Sequence, residues 1–319
     1  MTLPLAPPLK PQLALSRKEL PVGGDYVYEV KLDGFRCLAF VDGEEVFLQS
    51  RNGKPLGRYF PELALPAGRY VLDGEIVVRD AEGREDFDAL GQRIHPAVSR
   101  IERLAAETPA VYVAFDLLAY EQDSLLELPF AERRRALEGL LSSEAFARAP
   151  VELMRTADTP EEARRWLEHA EGAIAKERSA PYRPGARKGM AKVKRVRTID
   201  AVVVGWRPGK EPDTVGALIL GLYDGDELRV VGHCSGLTIP EKRRLVGFLA
   251  AYESGERGSA DPSRWSAGKD LEWVALRPEL VVEIDFDHVS AGRIRHGSKL
   301  RRWRDEKPPR ECTYDQLRL

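Results

Sequence analysis

The chain has 319 residues, with 49 Lys and Arg against 51 Asp and Glu (net charge -2), 43% hydrophobic and 31% charged. That length accommodates about two domains, and the composition excludes a disordered chain. No apolar run approaches the roughly 18 residues of a membrane span, so no membrane role is expected.

The start, MTLPLAPPLKPQLALSRKEL, lacks the basic head and apolar stretch of an export signal. Cys37, Cys234 and Cys312 lie too far apart for a CxxC-type zinc site and are expected to be thiols in a reducing compartment, the cytoplasm. YVYEVKLDG (26–34) alternates as a strand, with Glu29, Lys31 and Asp33 on one face. Residues 37–50 read as two strands around an Asp42-Gly43 turn. Segments 69–80 and 110–120 are further strands, the second apolar enough to be buried on both faces. Helices are expected at 129–141 and 159–170, the latter with Thr159 and Glu162 spaced as a capping box and Pro160 at its first position. Segments 171–177 and 189–196 read as strands around a Pro/Gly/Arg loop. From about Thr198 four or five short strands follow, with a helix at 240–253 and a hairpin turn at Tyr223–Asp226. This pattern predicts an α+β chain whose second part is a small closed β-barrel, the OB-fold being one option, with the division near 196–199.

Charge is unevenly spread. Segment 176–197 carries nine Lys/Arg and one acid, and 293–310 carries eight Lys/Arg and two acids, so the rest of the chain is acidic. Basic segments on an acidic body suit a phosphate-bearing partner, although a single such stretch is as often a solvated face. Trp303, Pro184 and interspersed glycines suggest shaped loops.

The chemistry starts at Lys31 in EVKLDGFR. A lysine attacks only when deprotonated, which burial or neighbouring cations favour, and Lys192 and Lys194 could supply those cations. An isolated strand-edge lysine beside acids is ordinarily just solvated. K-x-D-G-x-R, however, is expected by chance only on the order of once in a few hundred chains.

The ordered motifs EVKLDGFR (29–36), SRNGK (50–54), LDGEIVV (72–78), AFDLLAY (114–120), EGAIAKE (171–177) and AKVKR (191–195) resemble those of the covalent nucleotidyltransferases: ATP-dependent DNA ligases, RNA ligases and capping enzymes. Across roughly residues 5 to 310 the wording is most similar to bacterial ATP-dependent DNA ligases of the free-standing accessory type often called ligase C, with no room expected for a polymerase or nuclease domain. The resemblance implies an adenylation domain of antiparallel sheets flanked by helices (1–197) and an OB-fold domain (198–319).

It also implies roles. Lys31 would take AMP from ATP as a phosphoramidate. Glu29 would accept from the adenine amino group, Phe115 would stack on the base, and Arg36 would hold ribose or phosphate. Asp33 would orient the reacting end of the substrate. Glu75, with Asp73 on the same strand face, and Glu171 would surround Mg²⁺ or Mn²⁺ or the ribose. Lys176, Lys192 and Lys194 would contact the α-phosphate, the last two sharing a strand face. Arg51 would bind the nick 5′-phosphate. Arg304 and Lys307, with Asp305 or Glu306 between them, would engage pyrophosphate. Met190 stands where the family commonly has Trp. The implied partners are ATP and nicked duplex DNA, the implied state a monomer, and the implied cycle includes reorientation of the barrel domain about a hinge near 196–199. An RNA ligase or capping enzyme using the same lysine chemistry is the nearer alternative, and a non-catalytic nucleic-acid-binding module the other.

Overall fold

In the computed structural model, residues 3–260 and 271–318 are described. The chain divides into two compact units, 1–195 and 196–319.

The first unit is built on two sheets. Its strands are β1 (Leu15–Ser16), β2 (Tyr26–Val30), β3 (Phe35–Gly43), β4 (Glu45–Ser50), β5 (Gly68–Val78), β6 (Ala110–Tyr120), β7 (Asp123–Ser124), β8 (Val151–Leu153), β9 (Thr156–Ala157), β10 (Gly172–Glu177) and β11 (Met190–Lys194). Its helices are α1 (Phe87–Gln92), α2 (Val98–Glu107), α3 (Phe130–Leu141) and α4 (Pro160–His169). One sheet has the order β1-β11-β10-β2-β9 and the other β4-β3-β5-β6-β7, with β8 alongside β6. Among the described residues of this unit only the β1–β11 and β6–β8 pairs are parallel.

Strand alternation sorts the first sheet into two faces. Tyr28, Ala173, Ala175, Ala191 and Val193 form a buried cluster against Ala163, Trp166 and Leu167 of α4. The opposite face carries Glu29, Ile174 and Lys192, aligned across β2, β10 and β11. The Thr159 hydroxyl accepts from the Glu162 N–H and Pro160 opens α4, so the helix starts where its cap places it. In the second sheet β6 is buried on both faces, as its apolar run predicts, beneath Phe130 and Leu137 of α3.

The strand expected over 26–34 stops at Val30, because the chain leaves one sheet and enters the other through Lys31–Gly34. Gly34 is required there: a Cβ would run into the Ile76 carbonyl and the Glu75 side chain. The β3–β4 turn lies one residue later than expected. Asp42 pairs with Glu45, leaving Gly43 and Glu44 as the loop, and Gly43 supplies φ 67°. Helices α1 and α2 were not foreseen, although Asp86 caps α1 by accepting from the Ala89 N–H at 2.8 Å.

The second unit contains β12 (Arg197–Pro208), β13 (Val215–Asp224), β14 (Glu227–Gly236), α5 (Ile239–Ala250), β15 (Glu253–Ala260), β16 (Leu271–Leu276), β17 (Val281–Phe286), β18 (Val289–Ser290), β19 (Arg293–Ile294) and β20 (Ser298–Trp303). Strands β12, β13, β14, β20 and β17 pair in that order, and β17 pairs back onto β12. That closes a five-stranded barrel with one parallel pair, β14–β20, and α5 between its third and fourth strands in sequence: an OB-fold. Val202, Leu218, Leu220, Val231, Val282 and Ile284 fill it. The basic 293–310 segment, expected as shaped loops, thus supplies the closing strand β20. The helix expected over 240–253 ends at Ala250, and β15 follows.

Arg133 of α3 and Asp116 of β6 form a bidentate pair at 2.8 and 2.9 Å, both nearly inaccessible. Arg133→Ala would leave a buried unpaired carboxylate, so chemical denaturation is expected to show a loss of about 3–5 kcal/mol in the first unit.

Candidate active site

Between the two sheets of the first unit lies a cavity of about 360 Å³. Its walls combine Glu29, Lys176 and Lys192 from the first sheet with Arg36, Glu75 and Phe115 from the second. Lys31 sits where the chain crosses between the sheets, its N–H donating to the Gly172 carbonyl at 2.9 Å. Residues 11–16, Arg51, Arg187 and Met190 complete the rim.

Lys31 Nζ donates to Glu171, a residue 140 positions away, and Glu171 also faces Lys194 at 3.6 Å. The Lys31 side chain keeps 19% exposure, enough to face the cavity. Glu75 is pushed up to about 7, first by burial and then by Glu171 and Asp73, against the pull of Arg36 and Lys31. Lys192 is held below the ordinary lysine value by burial and by the charges of Lys194, Lys31 and Arg51. The site therefore gathers cations faster than carboxylates neutralise them, a setting for phosphate.

Other expected residues are placed as follows. Lys176 donates to Glu29 and to the Phe115 carbonyl, and its ammonium lies 4.5 Å from the Phe115 ring centre. Burial outweighs Lys176 and raises the Glu29 carboxyl above its usual range. Arg36 lies 4.4 Å from the same ring and forms a bidentate pair with Asp73 at 2.6 Å. Both Asp73 oxygens are thereby engaged by Arg36, on the strand that also carries Glu75. Arg51 is exposed on the tight turn in which the Gly53 N–H donates to the Ser50 carbonyl. Asp33 is half-buried and does not line the cavity.

In the second unit, Arg304 pairs with Asp200 at 2.7 Å and Glu306 at 2.6 Å, and Lys307 meets Asp200 at 3.1 Å. Sequence reasoning missed Asp200 and, in the first unit, the entire 11–16 rim. The rim carries no motif and gains its place by the parallel pairing of β1 with β11 and by the bonds of Gln12 and Leu13 to residues 182–188.

Among the described residues no group of three or more His, Cys, Asp or Glu forms a ready-made metal site. Glu75 and Glu171, close enough for one to shift the other, nevertheless fit Mg²⁺, which takes one or two carboxylates and completes its shell with water and substrate phosphates. Among the described residues no helix is long and apolar enough to cross a membrane.

A lysine just past a strand end in a cation-rich cleft, in a chain that also carries an OB-fold barrel, is the equipment of a nucleotidyltransferase. Residues 11–194 match the family model described as the ATP dependent DNA ligase domain, and 211–307 match the ATP dependent DNA ligase C terminal region. DNA ligase C1 of Mycolicibacterium smegmatis is 44% identical, the alignment covering 99% of this chain and 96% of that one. DNA ligase C of Mycobacterium tuberculosis is 42% identical over the same shares. The solved structure described as mycobacterial DNA ligase D complexed with ATP and MES superposes with a TM-score of 0.53 at 29% identity, covering 96% of this chain and 98% of that one. The chain belongs to the ATP-dependent DNA ligases, and within them to the bacterial C type.

The folded Glu75 carboxyl titrates near 7 against 4.5 ordinarily, so between these pH values the folded state holds a proton that the unfolded chain has released. Stability from this group is full below pH 4.5 and is lost as pH rises through 7. With solvent screening, Glu75→Gln is expected to remove on the order of 2 kcal/mol of that decline in denaturation measured at pH 5 and pH 8 without divalent metal.

Proposed function

We propose that this ATP-dependent DNA ligase seals 3′-hydroxyl/5′-phosphate nicks in duplex DNA through an AMP adduct on Lys31. The observation that supports this most directly is the placing of Lys31 on the wall of a cavity whose other walls hold Phe115, Arg36 and Lys192.

In the first step Lys31, once deprotonated, attacks the α-phosphorus of ATP. An N–P bond forms, the bond to the bridging oxygen breaks, and pyrophosphate leaves. Glu171, already on the ammonium, holds the amine, and Lys192 and Lys194 draw charge from the α-phosphate. Phe115 offers a ring face to adenine, with Glu29 and Lys176 at the base-recognising end. Arg36 holds ribose or phosphate. Mg²⁺ or Mn²⁺ held by Glu75 and Glu171 would neutralise phosphate charge during transfer. Arg304 and Lys307 of the OB-fold serve the leaving pyrophosphate.

In the second step the nick 5′-phosphate, held by Arg51 and oriented with the help of Asp33, displaces Lys31 from AMP. In the third the 3′-hydroxyl attacks the activated 5′-phosphate and AMP departs. We take the working unit to be a monomer and DNA repair in the cytoplasm to be its setting.

The direct test is mass spectrometry after incubation with ATP and Mg²⁺, with AMP expected on Lys31. Charging by GTP alone would instead indicate capping chemistry. Lys31→Ala is expected to abolish charging while DNA binding persists, as gel shift on a nicked duplex would show. Arg304→Ala is expected to slow charging from ATP at least about tenfold more than sealing of pre-adenylated nicks, since only charging releases pyrophosphate; single-turnover rates of the two steps check this.

A further inference from the structure

Behind the cavity wall, four groups from distant parts of the first unit close a ring of hydrogen bonds. The Gln12 N–H donates to the Tyr182 hydroxyl at 2.9 Å, and that hydroxyl donates to Asp73 Oδ2 at 2.7 Å. Arg36 Nη2 donates to the same Oδ2 at 2.6 Å and reaches the Gln12 carbonyl at 3.5 Å, while Arg36 Nε donates to Oδ1 at 2.6 Å. Asp73 and Tyr182 are 0% and 1% exposed, and neither lines the cavity; Arg36 and Gln12 do.

The Gln12 side chain extends the ring into the rim. Its oxygen accepts from the Arg183 N–H at 2.9 Å and its amide donates to the Lys188 carbonyl, fastening the 183–188 segment that carries Arg187 to the cavity edge. The Tyr182 hydroxyl thus joins three pieces of wall: Arg36 on β3, the 11–16 rim and the 182–188 segment. Burial and the nearby Asp73 charge push the phenol well above its ordinary value, so its proton stays on and donates.

We propose that Tyr182 is a positioning residue for the nucleotide. Through Asp73 it sets the Arg36 guanidinium beside Phe115, and through the Gln12 amide it links that setting to closure of the rim. Loss of the hydroxyl leaves the buried Gln12 N–H without its acceptor and removes one donor from Asp73, so Arg36 is held by a carboxylate that is itself less fixed. The effect falls on nucleotide capture, because Arg36 lines the cavity and Lys31 makes no bond to the ring.

This inference rests on the reading of the cavity as the ATP site. The experiment measures lysyl-AMP formation against ATP concentration in Tyr182→Phe, in the full chain. Half-maximal charging is expected at about tenfold higher ATP, with the saturated rate of charging changed less than about twofold. Tyr70→Phe is the structural control. Tyr70 is equally buried and donates to the Pro66 carbonyl at 2.5 Å, outside the ring, so its loss is expected to lower the melting temperature without moving the ATP dependence. An unchanged ATP dependence in Tyr182→Phe, or the same shift in Tyr70→Phe, would overturn the positioning role. Absence of lysyl-AMP in the unsubstituted protein would overturn the ATP-site reading and the role together.

Discussion

Four residues, Lys31 to Gly34, carry the chain from one sheet to the other, and the site depends on that crossing. It puts an amine at the seam where the polar face of the first sheet meets the face bearing Arg36 and Glu75. The crossing is tight because Gly34 lies against the Ile76 carbonyl and the Glu75 side chain. A residue there with a side chain would push the seam open and separate the lysine from the second wall.

Around this seam the charges are arranged for a polyanion. Glu171 spans Lys31 and Lys194, Glu29 holds Lys176, and Asp73 holds Arg36. The carboxylates act largely as struts that order cations. Buried pairs of this kind contribute little net stability, because desolvation offsets attraction; their use here is to fix cationic groups before a phosphate arrives. Lys192 is held below the ordinary lysine value first by burial and then by Lys194, Lys31 and Arg51, whose charges Glu171 offsets only in part.

The Arg304–Asp200–Lys307 cluster repeats this device on the barrel. Asp200 lies on β12 and Arg304 directly follows β20, strands that lie on either side of β17. Barrel closure is what brings the anion to the two cations. The same closure explains why the basic 298–303 segment is a strand: β17 and β14 supply its ladder bonds on both sides.

Local patterns in the sequence sufficed for β2, β6, β10 and β11, for the helix starting at Pro160, and for placing Lys192 and Lys194 on one face with Val193 on the other. Motif order sufficed for the family. These follow from a period of two or a cap three residues long, which neighbouring residues dictate by themselves. Tertiary structure alone decided that Glu171 meets Lys31, that Lys176 turns to Glu29, that Asp73 serves Arg36 and Tyr182, and that residues 11–16 edge the cavity. Each of these depends on which distant strands pair and in what register, and strand pairing is set by the packing of whole sheets, which no short window of sequence contains.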